Sequence, residues 1–290
     1  MSSKSNDNGR ALEYFICESI LNSGNSQLTS QAKLDQLRDE KKLPLIKKQL
    51  LSDWQQTVPK FISWLKNYTN NNFLTIDRLT DNSGKVSDIE IKYDEKIIGF
   101  SIKNNCDDLK HPRPFSLAQA CKFQKNSDID VYYRDQMEKI SIKFHNTIPQ
   151  TENKQNYEDF PIEKNELYKD VTNLAIESLN EWNAESAVQN FFKFMVNTDF
   201  YKIKIKSSTS KNKPSAILTN FFGIPMPKNM LAFLDPENNP MNNKFLVQFD
   251  NDWLIRFRIH TAKKDIEKNK KVNLKWAVTA VKTTLKSIIL

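Results

Sequence analysis

Residues 86–105 read VSDIEIKYDEKIIGFSIKNN, two runs of alternating polar and apolar side chains separated by Asp94-Glu95-Lys96. Alternation with a period of two is the pattern of a half-buried strand, so the stretch predicts a β-hairpin. On the first strand Val86, Asp88, Glu90 and Lys92 fall on one face, and Ile89, Ile91 and Tyr93 on the other. On the second, Gly99, Ser101, Lys103 and Asn105 share a face, while Ile98, Phe100 and Ile102 form the side that must be buried. A two-residue turn fixes which residues oppose each other. With Glu95-Lys96 as the turn, Asp88 faces Lys103; with Asp94-Glu95, it faces Ser101. Either register gathers Asp88, Glu90, Ser101 and Lys103 on one face, with opposed Cβ atoms about 5 Å apart.

That grouping suits metal-assisted phosphodiester hydrolysis. A hard cation such as Mg²⁺ takes carboxylate oxygens. It polarises the phosphate and lowers the pKa of a bound water. A lysine beside it orients that water and offsets the charge building on the phosphorus oxygens. Asp88 is the first metal-ligand candidate, and Lys103 the candidate for the water. Glu13, at the border of an apolar helical stripe (Leu12, Phe15, Ile16, Ser19, Ile20), is the second carboxylate. Ser101 and Glu90 are supporting candidates. The same alternation also describes an ordinary half-exposed hairpin, so spacing alone leaves both readings open.

Outward from the hairpin, residues 9–21 predict a helix capped by Asp7 or Asn8. Residues 31–52, interrupted by Pro44, and 59–68 predict further helices. Strands are expected at 73–79, 129–133 and 140–144 besides the hairpin. A polar connector follows at 146–165, then one or two helices over 166–196. The rest reads as β-rich at 201–207 and 245–262, with a proline-punctuated stretch at 214–240 between them and a last apolar stretch at 272–281. Helices and strands without strict alternation give an α/β or α+β class. The expected organisation is a single unit over 1–290, with residues 1–150 as a core that carries the hairpin and 151–290 as a helical, β-rich portion.

Composition excludes much chemistry. Among 290 residues there are only five glycines, none spaced as a dinucleotide or P-loop phosphate cradle. Three cysteines and three histidines, without a C-x-x-C pair, argue against a disulfide framework or a zinc site. No apolar run is long enough to span a membrane, and the polar first ten residues carry no secretory signal, so a cytoplasmic setting is expected. The net charge of +8 fits either an anionic partner or a lysine-rich solvated surface.

Ser87-Asp88 followed by Ser101-Ile102-Lys103 resembles the PD-(D/E)XK nuclease motif, with Ser87 in place of the proline and Ser101 in place of the acidic residue. That second departure leaves Glu13 or Glu90 to supply the missing charge. Three segments resemble the HaeIII family of type II restriction endonucleases. They are Asn8-Gly9-Arg10-Ala11-Leu12-Glu13-Tyr14; Ser101-Ile102-Lys103-Asn104-Asn105 running on to Leu109-Lys110-His111-Pro112-Arg113; and Trp253, Phe257-Arg258-Ile259-His260 and Leu274-Lys275-Trp276. They keep one order and span nearly the whole chain. The resemblance implies a restriction-endonuclease-like α/β fold, a central mixed sheet flanked by helices. It also implies Mg²⁺-dependent cleavage of double-stranded DNA, at GGCC in the best-known members, and a cognate DNA methyltransferase as functional partner. Symmetric cutting of a palindrome invites a homodimer; a monomer nicking one strand at a time is the alternative.

Two segments are candidate DNA contacts. Lys110, His111 and Arg113 form a cationic loop after the catalytic strand, suited to backbone phosphates. On the strand from 253 to 261, Trp253, Ile255, Phe257 and Ile259 face one way, and Arg256, Arg258 and His260 the other, where arginine matches guanine O6 and N7. His145 is expected to be structural or at the surface and Cys106 incidental. Trp182, Phe191, Phe192 and Phe194 are expected in the core. The rival functions are a non-catalytic DNA-binding protein on a nuclease-like fold and a structure-directed repair nuclease.

Overall fold

The computed structural model describes residues 4–79, 86–106, 109–149, 155–237, 243–267 and 271–290. The hairpin forms in the second of the two registers. β3 (Ile89–Tyr93) and β4 (Lys96–Asn104) pair as Ile89 with Phe100 through Tyr93 with Lys96. The turn is therefore Asp94-Glu95, and Asp94 takes a left-handed φ of 50°, which aspartate tolerates better than most residues. The faces follow: Ile89, Ile91, Ile98, Phe100 and Ile102 are buried.

The chain is mixed α/β and forms two compact units. The first holds residues 1–107, 198–224 and 285–290. Its seven-stranded sheet has the order β1 (Ser26–Leu28), β2 (Leu74–Arg78), β3, β4, β5 (Phe200–Lys206), β6 (Ser215–Asn220), β11 (Ser287–Ile289). β1 runs parallel to β2 and β4 parallel to β5, and the other neighbours are antiparallel, so the sheet is mixed. Helices α1 (Lys4–Asn22) and α3 (Lys48–Tyr68) bury Leu12, Ile16, Trp54, Phe61 and Leu65 in one core with the apolar sides of β3, β4 and β5. The rings of Phe61 and Phe100 meet edge-on at 5.5 Å. Thr29 caps α2 (Ser30–Glu40) by accepting from the Ala32 N–H.

α1 starts at Lys4, upstream of the expected caps Asp7 and Asn8, so neither sits at its N-terminus. Pro44 does separate two helices, within a short 3₁₀ turn at Leu43–Leu45. Pro59, expected to open a helix, lies inside α3. Its missing N–H removes one helical bond, but Trp54, Val58, Phe61, Ile62 and Leu65 are all buried, and their shared face carries the helix through. The short strands β1 and β11 had no sequence signal.

The second unit holds residues 108–197 and 225–284. Its antiparallel sheet has the order β10 (Leu274–Lys282), β9 (Leu254–Thr261), β8 (Lys244–Phe249), β7 (Met230–Leu234). Its helices are α4 (Leu117–Ala120), α5 (Asp128–Thr147), α6 (Pro161–Glu181) and α7 (Glu185–Val196). The strands expected at 129–133 and 140–144 are both helical, within α5. Buried Asp130, Tyr133, Met137, Ser141 and Phe144 recur every three or four residues, and the Ser127 hydroxyl caps the first turn. Of the expected polar connector, residues 150–154 lie outside those described, and α6 begins at Pro161, inside its predicted end. Phe191 and Phe192 of α7 pack on Phe257, Phe249 and Trp253, ring centroids 5.1–5.9 Å apart. Trp182, Phe191 and Phe192 are core residues as expected. Phe194 is not; it is half-buried, with the Lys110 ammonium 4.9 Å from its ring centroid.

Candidate active site

Asp88 lies one residue before β3. Its N–H donates to the Phe100 carbonyl at 2.8 Å, and its carbonyl accepts from the Leu79 N–H at 3.0 Å. These bonds prolong the ladder on both sides and fix Asp88 between β2 and β4, opposite Ser101 by register. Its Oδ2 accepts from the Ile102 N–H and from the Ser101 hydroxyl at 3.3 Å, and Lys103 Nζ stands 3.7 Å away. All three contacts fall on that one oxygen, and among the described residues no contact is made to Oδ1. The side chains of Asp88 and Lys103 are 23% and 29% exposed, so the pair is open to a ligand, whereas Ser101 is buried.

Glu13 lies on α1 beside Leu12, and its side chain is nearly buried. Its Oε2 accepts from Arg78 Nη2 at 2.8 Å and lies 3.3 Å from Arg10 Nη1; Oε1 takes neither. Burial, and then the like charge of Asp88, raise its carboxyl above the ordinary 4.5, against the pull of Arg78 and Arg10. Asp88 and Glu13 are therefore within electrostatic reach, each with one oxygen tied and one open. Glu90 shares the face, opposite Gly99 on β4 and Asp77 on β2.

This donor set fits a hard divalent cation. Mg²⁺ is commonly held by one or two carboxylates while keeping several waters. Asp88 and Glu13 would hold it, and a cation there would relieve their mutual repulsion. Among the described residues no group of three or more His, Cys, Asp or Glu converges on one point.

Gly99 is needed where it stands. A Cβ there would collide with the Ser87 side chain, next to Asp88.

Sequence reasoning passed over Arg78. It ends β2 on the buried side with Leu74 and Ile76, and its guanidinium bonds Glu13, Asp39 at 2.9 Å and Gln36 at 3.0 Å. An arginine in step with the apolar residues of a strand was the available signal. Lys202 and Lys204 of β5 were also missed; they pair in register with Ser101 and Lys103 and so lie on the Asp88 face.

The candidate DNA contacts all fall in the second unit. Lys110 and Leu109 are tied by backbone bonds to Met195 and to Val278 of β10, and Lys110, His111 and Arg113 are exposed. On β9 the expected alternation holds, with Trp253, Ile255, Phe257 and Ile259 buried and Arg256, Arg258 and His260 facing outward. Arg256 forms an ion pair with Asp235 at 2.5 Å and donates a hydrogen bond to Glu237 at 2.8 Å. Arg258 is exposed and pairs in register with Lys244 and Ala277, while His260 pairs with Lys275. Burial, with the charges of Lys275, Arg258 and His111, lowers the His260 pKa below its usual 6.5 despite a backbone contact from Arg258. His145 is half-buried at the end of α5, and Cys106 is a free thiol.

No helix among the described residues is long and apolar enough to cross a membrane. No protein-family model and no curated protein matches the chain.

Proposed function

We propose that the chain is a type II restriction endonuclease of the PD-(D/E)XK class, cutting both strands of double-stranded DNA at GGCC with Mg²⁺ to leave 5′-phosphate ends. It would work in the cytoplasm beside a cognate methyltransferase. The observation that carries this is the arrangement around Asp88: a carboxylate fixed at a strand end, Lys103 Nζ at 3.7 Å, and Glu13 close enough to feel its charge. The seven-stranded mixed sheet supports the restriction-endonuclease-like fold, and the ordered resemblance to the HaeIII family supports the target.

When bound, Mg²⁺ polarises the scissile phosphate and acidifies a coordinated water. Asp88 and Glu13 offer their open oxygens to it. Lys103 holds the attacking water and offsets the charge building on the phosphorus oxygens. A bond forms from the water oxygen to phosphorus. The bond to the 3′ oxygen breaks; the attacking water gives a proton to solvent, and solvent returns one to the 3′ oxygen, which leaves as a hydroxyl. Ser101, where the motif has an acid, holds Asp88 Oδ2 by a hydrogen bond. Lys110, His111, Arg113, Arg258 and His260 are the proposed DNA contacts in the second unit.

Ser101 is also the specific observation favouring a second reading, a DNA-binding protein without catalysis. Digestion of phage DNA by purified protein with Mg²⁺, with EDTA as control, separates them. Discrete bands whose ends share GGCC support the proposal. A smear indicates a structure-directed or nonspecific nuclease. Intact DNA, from protein that still shifts it, gives the non-catalytic reading.

A further inference from the structure

Helix α2 is turned inside out. Its buried residues are Ala32, Asp35, Gln36 and Asp39, while Leu34 and Leu37 are 61% and 69% exposed. A helix that served only to pack would present its leucines to the core. Replacing a buried ion network by apolar side chains is often neutral or stabilising, so stability alone does not account for this inversion.

The buried side of α2 converges on Arg78. Asp39 Oδ2 lies 2.9 Å from Arg78 Nη2, and Gln36 Oε1 accepts from Nη1 at 3.0 Å. Asp39 is itself held by Arg38 and Lys42, so its position does not depend on Arg78. Arg78 Nε is buried and has no hydrogen-bond partner among the described residues. The guanidinium is thus oriented by its two outer nitrogens, and Nη2 is shared between Asp39 and Glu13.

We infer that Arg78 is a positioning residue for the cation site: clamped by Asp39 and Gln36, it pins Glu13 by Oε2 and leaves Oε1 as the second oxygen for the metal beside Asp88. The inference rests on the metal-dependent reading of the site. It gives α2, which carries neither proposed metal ligand, a part in metal affinity, acting through strand β2 and helix α1. Partners that orient a metal ligand typically change metal affinity 10–100-fold when altered.

The test is Mn²⁺ binding by the full-length protein, followed by loss of the free-ion EPR signal, alone and with a GGCC duplex. Thermal unfolding is recorded in parallel. Arg78→Lys keeps the charge and loses the fork, and should weaken Mn²⁺ binding tenfold or more in folded protein. Asp39→Asn, the gentler variant should Arg78→Lys not fold, removes the clamp and should weaken it in the same direction. A purely structural role would lower the unfolding temperature and leave the Mn²⁺ affinity of the folded protein untouched. Folded variants that bind Mn²⁺ like wild type overturn the role of Arg78 and leave the nuclease reading standing. A wild-type chain that binds no Mn²⁺ under either condition overturns the metal-dependent reading and this inference with it.

Discussion

Lys103 reaches Asp88 Oδ2 diagonally across the strand pair, and both side chains are partly exposed, so each can be removed without emptying the core. Asp88→Asn keeps the shape and loses the charge; Lys103→Ala loses the group proposed to hold the water. Each should lower plasmid cleavage by about a thousandfold, in the range of a lost positioned catalytic group. DNA binding in a gel shift should persist, slightly tighter for Asp88→Asn because a negative charge has gone. Cleavage at the wild-type rate by either variant would dismiss the site. Two other carboxylates have opposite pH signatures. Glu13 is raised by burial and by Asp88, so the folded state holds its proton more tightly than the unfolded chain. Its contribution to stability is present below the ordinary glutamate value and is withdrawn as pH rises through the raised one. For Asp39 burial acts upward, but hydrogen bonds from Arg38 and Lys42 and the charge of Arg78 prevail and hold it at about 2. Its contribution is present above 3.8 and is lost as pH falls toward 2. Unfolding midpoints against pH for wild type, Glu13→Gln and Asp39→Asn measure both slopes. Because Glu13 must shed its proton to hold a cation, its raised carboxyl should make metal binding weaken as pH falls.

At the scale of elements, β9 carries an ion-paired and an exposed arginine on a single strand face. Arg256 and Arg258 look alike in sequence, two residues apart on the outward side. The structure gives Arg256 to the buried carboxylate of Asp235, while Arg258 stays exposed. Arg256→Ala leaves Asp235 buried without its cation and should cost about 3 kcal/mol in urea unfolding. Arg258→Ala should change stability by less than about 0.5 kcal/mol. Equal costs would show that Asp235 finds another partner. No pattern in the sequence distinguishes these two arginines, because Asp235 reaches Arg256 from beyond β7. The hairpin was legible because period-two alternation is local and its two-residue turn left only two registers. Helix α5 was misread because Ile, Val and Tyr at 129–133 and the alternation at 140–144 favour strands locally. Its cap at Ser127 and its buried residues at helical spacing outweighed that preference. The polar side of α2 was illegible for a different reason: its burial depends on Arg78, 39 residues beyond Asp39, and exposed leucines run against every amphipathic rule.

At the scale of the whole molecule, the charge of +8 is informative only through where it lies. No composition change marks the points where the chain passes between its two units, near residues 107, 197, 224 and 284. The catalytic candidates belong to one unit and the DNA-contact candidates to the other, so binding and cutting should be separable by mutation. Binding that neutralises phosphates releases counterions, and log K then falls linearly with log salt, by about 0.9 for each phosphate contact. Arg258→Ala, and separately Lys110→Ala, should each reduce that slope by about 0.9, in EDTA and on any duplex if the contact is to phosphate. If Arg258 instead reads guanine, its loss should weaken binding to a GGCC duplex more than to an unrelated one. His260 adds a pH signature. Its lowered pKa keeps it neutral at pH 7, so the slope should be flat between pH 8 and 7 and steepen only below its usual 6.5. His260→Ala should reduce the steepening, with His111 left to supply the rest, and leave the slope at pH 8 unchanged. Gel shifts across a salt series, at two pH values and on two duplexes, read all of these at once. A wild-type slope in all three variants would place the DNA surface elsewhere on the molecule.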